Sequence, residues 1–190
     1  MQQFCWDRRD RFFYSVDFLS QLRPAFPWLH QGLGCFWPCL PLRVQVWSGF
    51  LGLWSGLATA SQAAEVARLH YRNEESFHAL AGVRTLAANE PMYNLTETSN
   101  PSNWLGPVWI VSNYLTFRGL VRYGLVEDAR DLVERTVRLL GEDLARHGCL
   151  HEFYVPETGA PVMNPGFMNW NFLVLNMIVW AEGGRVVSEF

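Results

Sequence analysis

The stretch that decides the fold lies between Asn100 and Gly159. It opens with NPSNWLGPVWIVSNY, residues 100–114, and closes with HGCLHEFYVPETG, residues 147–159. Between these two motifs, over Glu127–His147, apolar residues recur at three- and four-residue steps and charged residues take the other face. This period predicts an amphipathic helix with one exposed face. Gly148 follows it and is expected to end it.

Apolar and amphipathic helices alternate along the chain. Nearly all-apolar helices are predicted at 50–57, 110–123 and 167–180, and amphipathic ones at 60–71 and 127–147. Inner helices of a double ring are buried on every side, whereas outer helices keep one face in water. The alternation therefore predicts an all-α array of helical hairpins that curves into a toroid.

The connections are long and rich in turn residues. Residues 21–41 hold four prolines, and residues 89–107 carry Pro91, Pro101 and Pro107. Such runs predict loops, and loops above a rigid scaffold are where sites tend to be built. Thr59 is a plausible cap for the helix that follows it. Residues 12–14 are either a helix end or a short extended piece.

Composition excludes several classes of protein. The 190 residues are 49% hydrophobic and 15% aromatic, with a net charge of −3, and all fifteen basic residues are arginine. A chain this apolar should fold, and it lacks the concentrated basic footprint that nucleic acids need. Residues 44–64 are uncharged and long enough to span a bilayer. Their Ser, Gln and Gly content favours a buried helix, with membrane insertion as the minor alternative.

No metal or other cofactor is expected. The Cys35 and Cys39 pair lacks a second pair at zinc-site spacing. The potential ligands at 147–152 lie so close along the chain that shared coordination would need a tight loop. The N-terminal segment is charged where a secretory signal would be apolar. This favours reduced thiols and a cytoplasmic location. The cysteines are Cys5, Cys35, Cys39 and Cys149.

The two motifs have the side chains of a carbohydrate site. Trp104 and Trp109 flank a Gly-Pro turn, and Glu152 stands beside His151 and Phe153. Aromatic faces pack against the C–H faces of a sugar ring, and a carboxylate beside apolar groups suits acid–base chemistry. The alternative is that the same aromatic residues only fill a core.

Three segments resemble the C-terminal half of glycoside hydrolase family 63. They are residues 103–114, 151–159 and 167–177, and the most specific parts are the W-x-G-P-x-W turn and the E-x-Y-x-P-x-T-G run. Residues 4–17 and 82–93 resemble the same family. The likeness is greatest to its bacterial branch, which hydrolyses mannosylglycerate and glucosylglycerate.

The resemblance implies an (α/α)6 barrel, of which residues 1–190 would form about half a ring, as the C-terminal part of a single catalytic domain. It implies an inverting, exo-acting α-glycosidase on a small glycoside, with Glu152 as general base and an Asp upstream of Met1 as general acid. The isolated chain would then be inactive, and it would associate with itself or with a missing N-terminal half. The alternative is a non-catalytic sugar-binding or truncated module.

The resemblance also suggests which residues bind substrate. Trp104 and Trp109 are expected as sugar-facing walls. Arg84 is expected to pair with a glycerate carboxylate, with a structural ion pair as the alternative. Glu157 should be exposed, and Asp7, Asp10 and Asp17 should form ion pairs with neighbouring arginines. Gly106 is also expected at the site. The remaining expected lining residues, for which filling the core is the alternative, are Asn113, Tyr114, His151, Tyr154 and Trp170.

Overall fold

The protein is predominantly helical. A computed structural model describes residues 2–17, 39–96 and 102–184. Turns of 3-10 helix at Trp47–Phe50 and Trp170–Leu173 each lead directly into a helix, and a π-helical turn at Ala67–Tyr71 extends the helix before it. The helices are α1 (Gln2–Cys5), α2 (Leu51–Trp54), α3 (Ala60–Val66), α4 (Ile110–Arg122), α5 (Val126–His147) and α6 (Val174–Ala181).

The described residues also form four short two-stranded antiparallel ribbons. Each pairs two strands of only two or three residues, which is too short for an alternating pattern to show in the sequence. The residues at 12–14, expected to be helical or extended, are extended. The ribbons are β1 (Trp6–Asp7) with β2 (Phe12–Phe13), β3 (Ser15–Asp17) with β4 (Leu40–Leu42), β5 (His78–Ala79) with β6 (Gly82–Val83), and β7 (Phe153–Tyr154) with β8 (Pro161–Val162).

Helices α4 and α5 form the central hairpin. Phe117 and Leu120 of α4 are fully buried, as is Leu132 of α5, and burying each such side chain stabilises the fold by roughly 1.5–3 kcal/mol. Gly148 takes the left-handed conformation at the end of α5, with φ 69°, and its N–H donates to the carbonyl of Leu144. The helices predicted at 110–123 and 127–147 are therefore confirmed to within a residue or two.

The uncharged stretch at 44–64 does not form one helix. Gly56, at φ +74°, breaks it after α2. Thr59 then begins α3 with a capping box, in which its side chain accepts from the N–H of Gln62 and the Gln62 side chain accepts from the N–H of Thr59. The predicted cap is confirmed. Among the described residues, the helices are too short or too polar to cross a bilayer.

One sequence-based expectation is corrected. The helix expected at 167–180 begins only at Trp170, because the backbone of Asn169, at φ −32° and ψ −110°, is not helical. The structure also exposes an apolar face around α6, at Phe172 and Leu175, which are 53% and 55% exposed.

Substituting alanine for two helical glycines is predicted to have opposite effects on stability. A Cβ at Gly119 of α4 would lie 2.8 Å from Leu53 Cβ and 3.0 Å from the Trp54 nitrogen, so Gly119 lets α2 approach. A Cβ at Gly141 of α5 would meet nothing within 4 Å. Gly119→Ala should therefore lower the free energy of unfolding by about 1–3 kcal/mol through overpacking. Gly141→Ala should raise it by about 0.5–1 kcal/mol through helix propensity.

Thermal or urea unfolding of the two variants checks this pair. The same substitution on the same kind of element isolates the steric effect. Equal effects of the two substitutions would contradict the close approach of α2 and α4.

Candidate functional site

Backbone pairing at Val108 brings three sequence motifs together. Val108 forms antiparallel bridges with Arg84 on one side and Tyr154 on the other. The Val108 N–H donates to the Tyr154 carbonyl at 2.9 Å, and the Tyr154 N–H donates back at 3.0 Å. Val108 and Tyr154 are fully buried. The W-x-G-P-x-W turn and the E-x-Y-x-P-x-T-G run, far apart in sequence, are therefore held side by side.

Four aromatic rings form a column beside this pairing. Trp104 stacks on Trp109 with ring centroids 4.1 Å apart and planes 13° apart, and Trp109 stacks on Phe153 at 4.9 Å. Trp47 continues the column beyond Trp104 at 6.2 Å. We call Trp47, Trp104, Trp109 and Phe153 the aromatic column. It runs from Trp47 through the partly exposed Trp104 to Phe153, the residue that follows Glu152.

The expectation that Trp109 is a sugar-facing wall is corrected. Trp109 is 1% exposed, and its indole N–H donates to the Asn103 carbonyl at 2.9 Å. Trp170 also packs against it, with centroids 5.6 Å apart. Trp109 is thus an internal member of the column, whereas Trp104 remains partly exposed at its surface. Of the two indoles, Trp104 is the one with exposed surface, although Trp47 and Trp109 stack on either side of its ring.

Glu152 lies on an irregular segment between α5 and β7. Its side chain is largely buried, with the residue 8% exposed. Its N–H donates to the Met163 carbonyl at 3.2 Å, and its Oε2 accepts a hydrogen bond from Asn164 Nδ2. The carboxylate is therefore oriented by the turn that follows β8. Sequence reasoning did not single out Asn164.

The turn that holds Glu152 has an unusual backbone. Met163 and Asn164 have φ of 58° and 46°, in the left-handed region that residues other than glycine seldom adopt. Asn tolerates this region well, whereas a residue such as Met is held there only by its surroundings. The Asn-Pro-Gly sequence at 164–166 signals a turn. Its contact with Glu152, twelve residues away, has no signature in the sequence.

Asp143 anchors the segment on the other side of Glu152. Its Oδ2 accepts from the Tyr154 hydroxyl at 2.8 Å and from the His151 N–H at 3.0 Å. Its Oδ1 lies 2.9 Å from His147 Nδ1 and 3.0 Å from His151 Nδ1. Burial acts to raise the pKa of Asp143, but the hydrogen bonds from His151 and Tyr154 outweigh it and hold that pKa below its usual value. Sequence reasoning missed Asp143, although its spacing of four from His147 was visible.

Several expected lining residues have structural roles. The Tyr154 hydroxyl is buried against Asp143, and burial raises its pKa above the usual value. Asn113, fully buried, accepts from the Val83 N–H at 2.8 Å and donates to Thr136 Oγ1 at 3.0 Å, which ties α4 to α5.

Tyr114 is also buried, and its hydroxyl accepts hydrogen bonds from Arg118 and Asn176. Asn113, Tyr114 and Tyr154 are thus buried in the core, which favours the core-filling alternative over a place in the lining.

Gly106 and Trp170 lie close to the aromatic column. A Cβ at Gly106, where φ is +148°, would lie 2.6 Å from the ring of Tyr93, so only glycine fits this turn without strain. Trp170 packs between Trp109 and Phe167 and is partly exposed. Its indole N–H is buried and has no hydrogen-bond partner among the described residues. It is a free donor beside the column.

Arg84 is a structural residue. It is 7% exposed, and its guanidinium bonds to Glu157 Oε1 at 3.1 and 3.2 Å. Its Nη1 donates to the carbonyls of Glu74 and Ser76 at 2.9 and 3.2 Å, and also to that of His78. Of the two roles expected for Arg84, the structural ion pair is the one observed, because its guanidinium is already engaged with Glu157. Glu157 is exposed, as expected.

The acidic residues near the N-terminus also form ion pairs, but with a different partner. Asp7 and Asp10 both pair with Arg43, Asp10 at 2.6 Å, and not with the arginines adjacent to them in sequence. Arg11 pairs with Glu65. Asp17 ends β3. The pairing between distant positions arises because β1 and β2 place Asp7 and Asp10 beside residue 43, which no local pattern could indicate.

The chain is similar to known glycosidases over most of its length. The domain described as "Mannosylglycerate hydrolase MGH1-like glycoside hydrolase domain" matches residues 1–171. Mannosylglycerate hydrolase MGH1 of Selaginella moellendorffii is 32% identical over 114 residues, which are 59% of this chain and 20% of that protein. This chain thus spans about a fifth of that relative.

Solved structures agree with this family. A GH63 mannosylglycerate hydrolase from Thermus thermophilus, in complex with glucose, matches with a TM-score of 0.67 and 26% identity over 94% of this chain and 37% of that one. Neutral trehalase Nth1 from Saccharomyces cerevisiae has a TM-score of 0.63 at 17% identity, over 94% of this chain and 28% of that one, and shares the fold. The helical hairpins are those of an (α/α)6 toroid. The chain belongs to the mannosylglycerate hydrolase MGH1-like family of glycoside hydrolases.

Proposed function

We propose that this chain supplies the general base and part of the sugar-binding surface of a glycoside hydrolase that acts on a small glycoside such as mannosylglycerate or glucosylglycerate. The observation that carries the proposal is the placement of Glu152. Its carboxylate is largely buried, is oriented by Asn164, and belongs to the residue next to Phe153 at the inner end of the aromatic column.

Glu152 suits the activation of a water molecule. In an inverting reaction one carboxylate removes a proton from water while a carboxylic acid on the opposite face protonates the leaving oxygen. The amide of Asn164 donates to Oε2. An amide N–H can only donate, so this bond orients the carboxylate through Oε2. Oε1 is then left to accept a hydrogen bond from water.

The general acid is proposed to lie outside this chain. A general acid must hold its proton, and a nearby guanidinium favours the ionised form instead. Asp7 and Asp10 are both paired with Arg43. Burial acts to raise the pKa of Asp7, but backbone hydrogen bonds and Arg43 hold it below its usual value. Asp143 is likewise hydrogen-bonded in its ionised form.

Trp104 is proposed to contact the sugar. Its ring is held between Trp47 and Trp109 in the aromatic column, and it is partly exposed. A rigid aromatic face loses little entropy when a sugar packs on it. The buried N–H of Trp170 could donate to a sugar hydroxyl, because a buried donor left unpaired costs free energy that a ligand would recover. The family relatives are named mannosylglycerate hydrolases, which supports a small glycoside as substrate.

The first prediction concerns Glu152 in a polypeptide that includes the general acid. Glu152→Gln keeps the shape of the side chain but cannot take a proton from water, so kcat should fall by at least about 10²-fold with little change in KM. The same substitution at Glu134, an exposed position on α5, should leave both constants unchanged. The measurement is steady-state kinetics with mannosylglycerate and glucosylglycerate.

Added azide provides a second test of the role of Glu152. A small anion that enters the site of the lost base should give a glycosyl azide of inverted configuration with Glu152→Gln. Near-normal rates in this variant would place the base elsewhere and favour a non-catalytic module, and a first product that retains the anomeric configuration would overturn inversion.

The second prediction concerns Asn164. Asn164→Gly keeps the left-handed backbone but removes the amide that orients Glu152. We expect kcat to fall by about 10-fold, at the lower range of the effect of lost supporting contacts, with a small change in Tm because Asn164 is exposed. Asn169→Gly, an exposed position five residues later, is the control. Unchanged kcat in the Asn164 variant would show that this hydrogen bond does not matter to the base.

The third prediction separates the two indoles. Trp109→Ala should cost roughly 3–5 kcal/mol of stability, because it empties a buried volume in the aromatic column. Trp104→Ala should cost clearly less stability but should weaken binding of a substrate-like inhibitor. Thermal melts and inhibitor titrations of both variants give the comparison. Inhibitor binding that tolerates Trp104→Ala would reassign this indole to packing.

A further inference from the structure

We propose that Asp143, His147 and His151 form a binding site for a divalent transition-metal ion such as Zn²⁺. We call these three residues the α5 terminal cluster. Each residue offers one ligand atom, and the three atoms lie within 4.8 Å of one another. The cluster takes no part in the chemistry proposed for Glu152, although the bond between Asp143 and His151 fixes the segment before it. The sequence argued against a metal site within residues 147–152. The α5 terminal cluster differs from that site, because its carboxylate belongs to Asp143, which lies within helix α5.

The distances suit a tetrahedral ion. Asp143 Oδ1 lies 2.9 Å from His147 Nδ1 and 3.0 Å from His151 Nδ1. Zinc binds His nitrogen and carboxylate oxygen at roughly 2.0–2.1 Å, which places tetrahedral ligand atoms about 3.4 Å apart. Each histidine nitrogen therefore needs to move away from Oδ1 by only a few tenths of an ångström, and all three ligand atoms already lie within 4.8 Å of one another. The His147 side chain is 43% exposed and is free to make that movement.

The fold places the three ligands for a structural reason. Asp143 and His147 are four residues apart on α5, so their side chains lie on one face of its last turn. Gly148 then ends the helix in the left-handed conformation. The chain returns over that turn, and the His151 N–H bonds to Asp143 Oδ2 at 3.0 Å. The tight loop that such coordination requires is therefore present.

The surroundings favour a metal ligand at Oδ1. The Tyr154 hydroxyl and the His151 N–H both bond to Oδ2, so they orient the carboxylate in the way that outer partners orient metal ligands. The C-terminal end of a helix also carries partial negative charge, which attracts a cation. Arg146, in the same turn, pairs with Glu142 at 3.0 Å.

The donor set indicates the class of ion. Two imidazole nitrogens and one carboxylate oxygen suit Zn²⁺ and its neighbours, whereas Ca²⁺ and Mg²⁺ prefer oxygen ligands. The exposed side of His147 leaves room for water as a fourth ligand. A bound ion would fasten the last turn of α5 to the segment that continues into Glu152.

The experiment uses the full chain, stripped with EDTA and dialysed. Titration with Zn²⁺ alone, followed by calorimetry, should show one equivalent bound. Zinc at one hundred times its Kd should raise Tm by roughly 5–10 °C, as expected for a ligand that binds only the folded state. Co²⁺ in place of zinc should give the visible bands of tetrahedral coordination without a thiolate charge-transfer band.

Variants decide whether the α5 terminal cluster holds the ion. His147→Ala removes one of three protein ligands at an exposed position, so the fold should persist while Zn²⁺ affinity falls by at least about tenfold. His78→Ala is the matched control, because His78 lies 3.8 Å from Asp131 in a simple pair and should not affect zinc binding. The proposal is overturned if no saturable binding is seen, if His147→Ala binds zinc normally, or if the cobalt spectrum shows thiolate ligands.

Discussion

The site depends on the backbone pairing of Val108 with Tyr154. Two hydrogen bonds at 2.9 and 3.0 Å join the segment that carries Trp104 to the segment that carries Glu152. Each such bond contributes only about 0.5–1.5 kcal/mol net, but leaving its buried groups unpaired would cost more. The pairing is therefore difficult to open. Phe153 is consequently kept on the aromatic column, and Glu152 beside its inner end.

Most polar residues of the motifs that were expected to contact a ligand form hydrogen bonds or ion pairs within the protein instead. Asn113 ties α4 to α5, and Arg84 joins Glu157 to three backbone carbonyls. Buried polar groups that are fully hydrogen-bonded specify one arrangement of the chain, because any other leaves them unpaired. A motif residue can thus be essential to the site without touching the substrate. The groups that remain available are few, chiefly Glu152, Trp104 and the indole N–H of Trp170.

The sequence predicted the elements that depend on local patterns. The three- and four-residue period of α5, its end at Gly148 and the cap at Thr59 are all confirmed. It could not tell Trp104 from Trp109, because burial is decided by what stacks on each ring and not by the motif that contains both. The partner of Glu152 was missed for a similar reason. Asn164 reaches it only because β7 and β8 pair, and strands of two residues leave no period to detect.

The position of Glu152 is fixed by the bonds of the residues on either side of it more than by its own contacts. Catalytic groups must be held within about 0.5 Å of their working position, and the Glu152 side chain is largely buried and bonded to Asn164. On its C-terminal side, Tyr154 is bonded to Val108. On its N-terminal side, His151 is bonded to Asp143, and across the turn Asn164 holds the carboxylate. A residue whose segment is fixed on both sides can keep one carboxylate oxygen free, which is what the general-base role proposed for Glu152 requires.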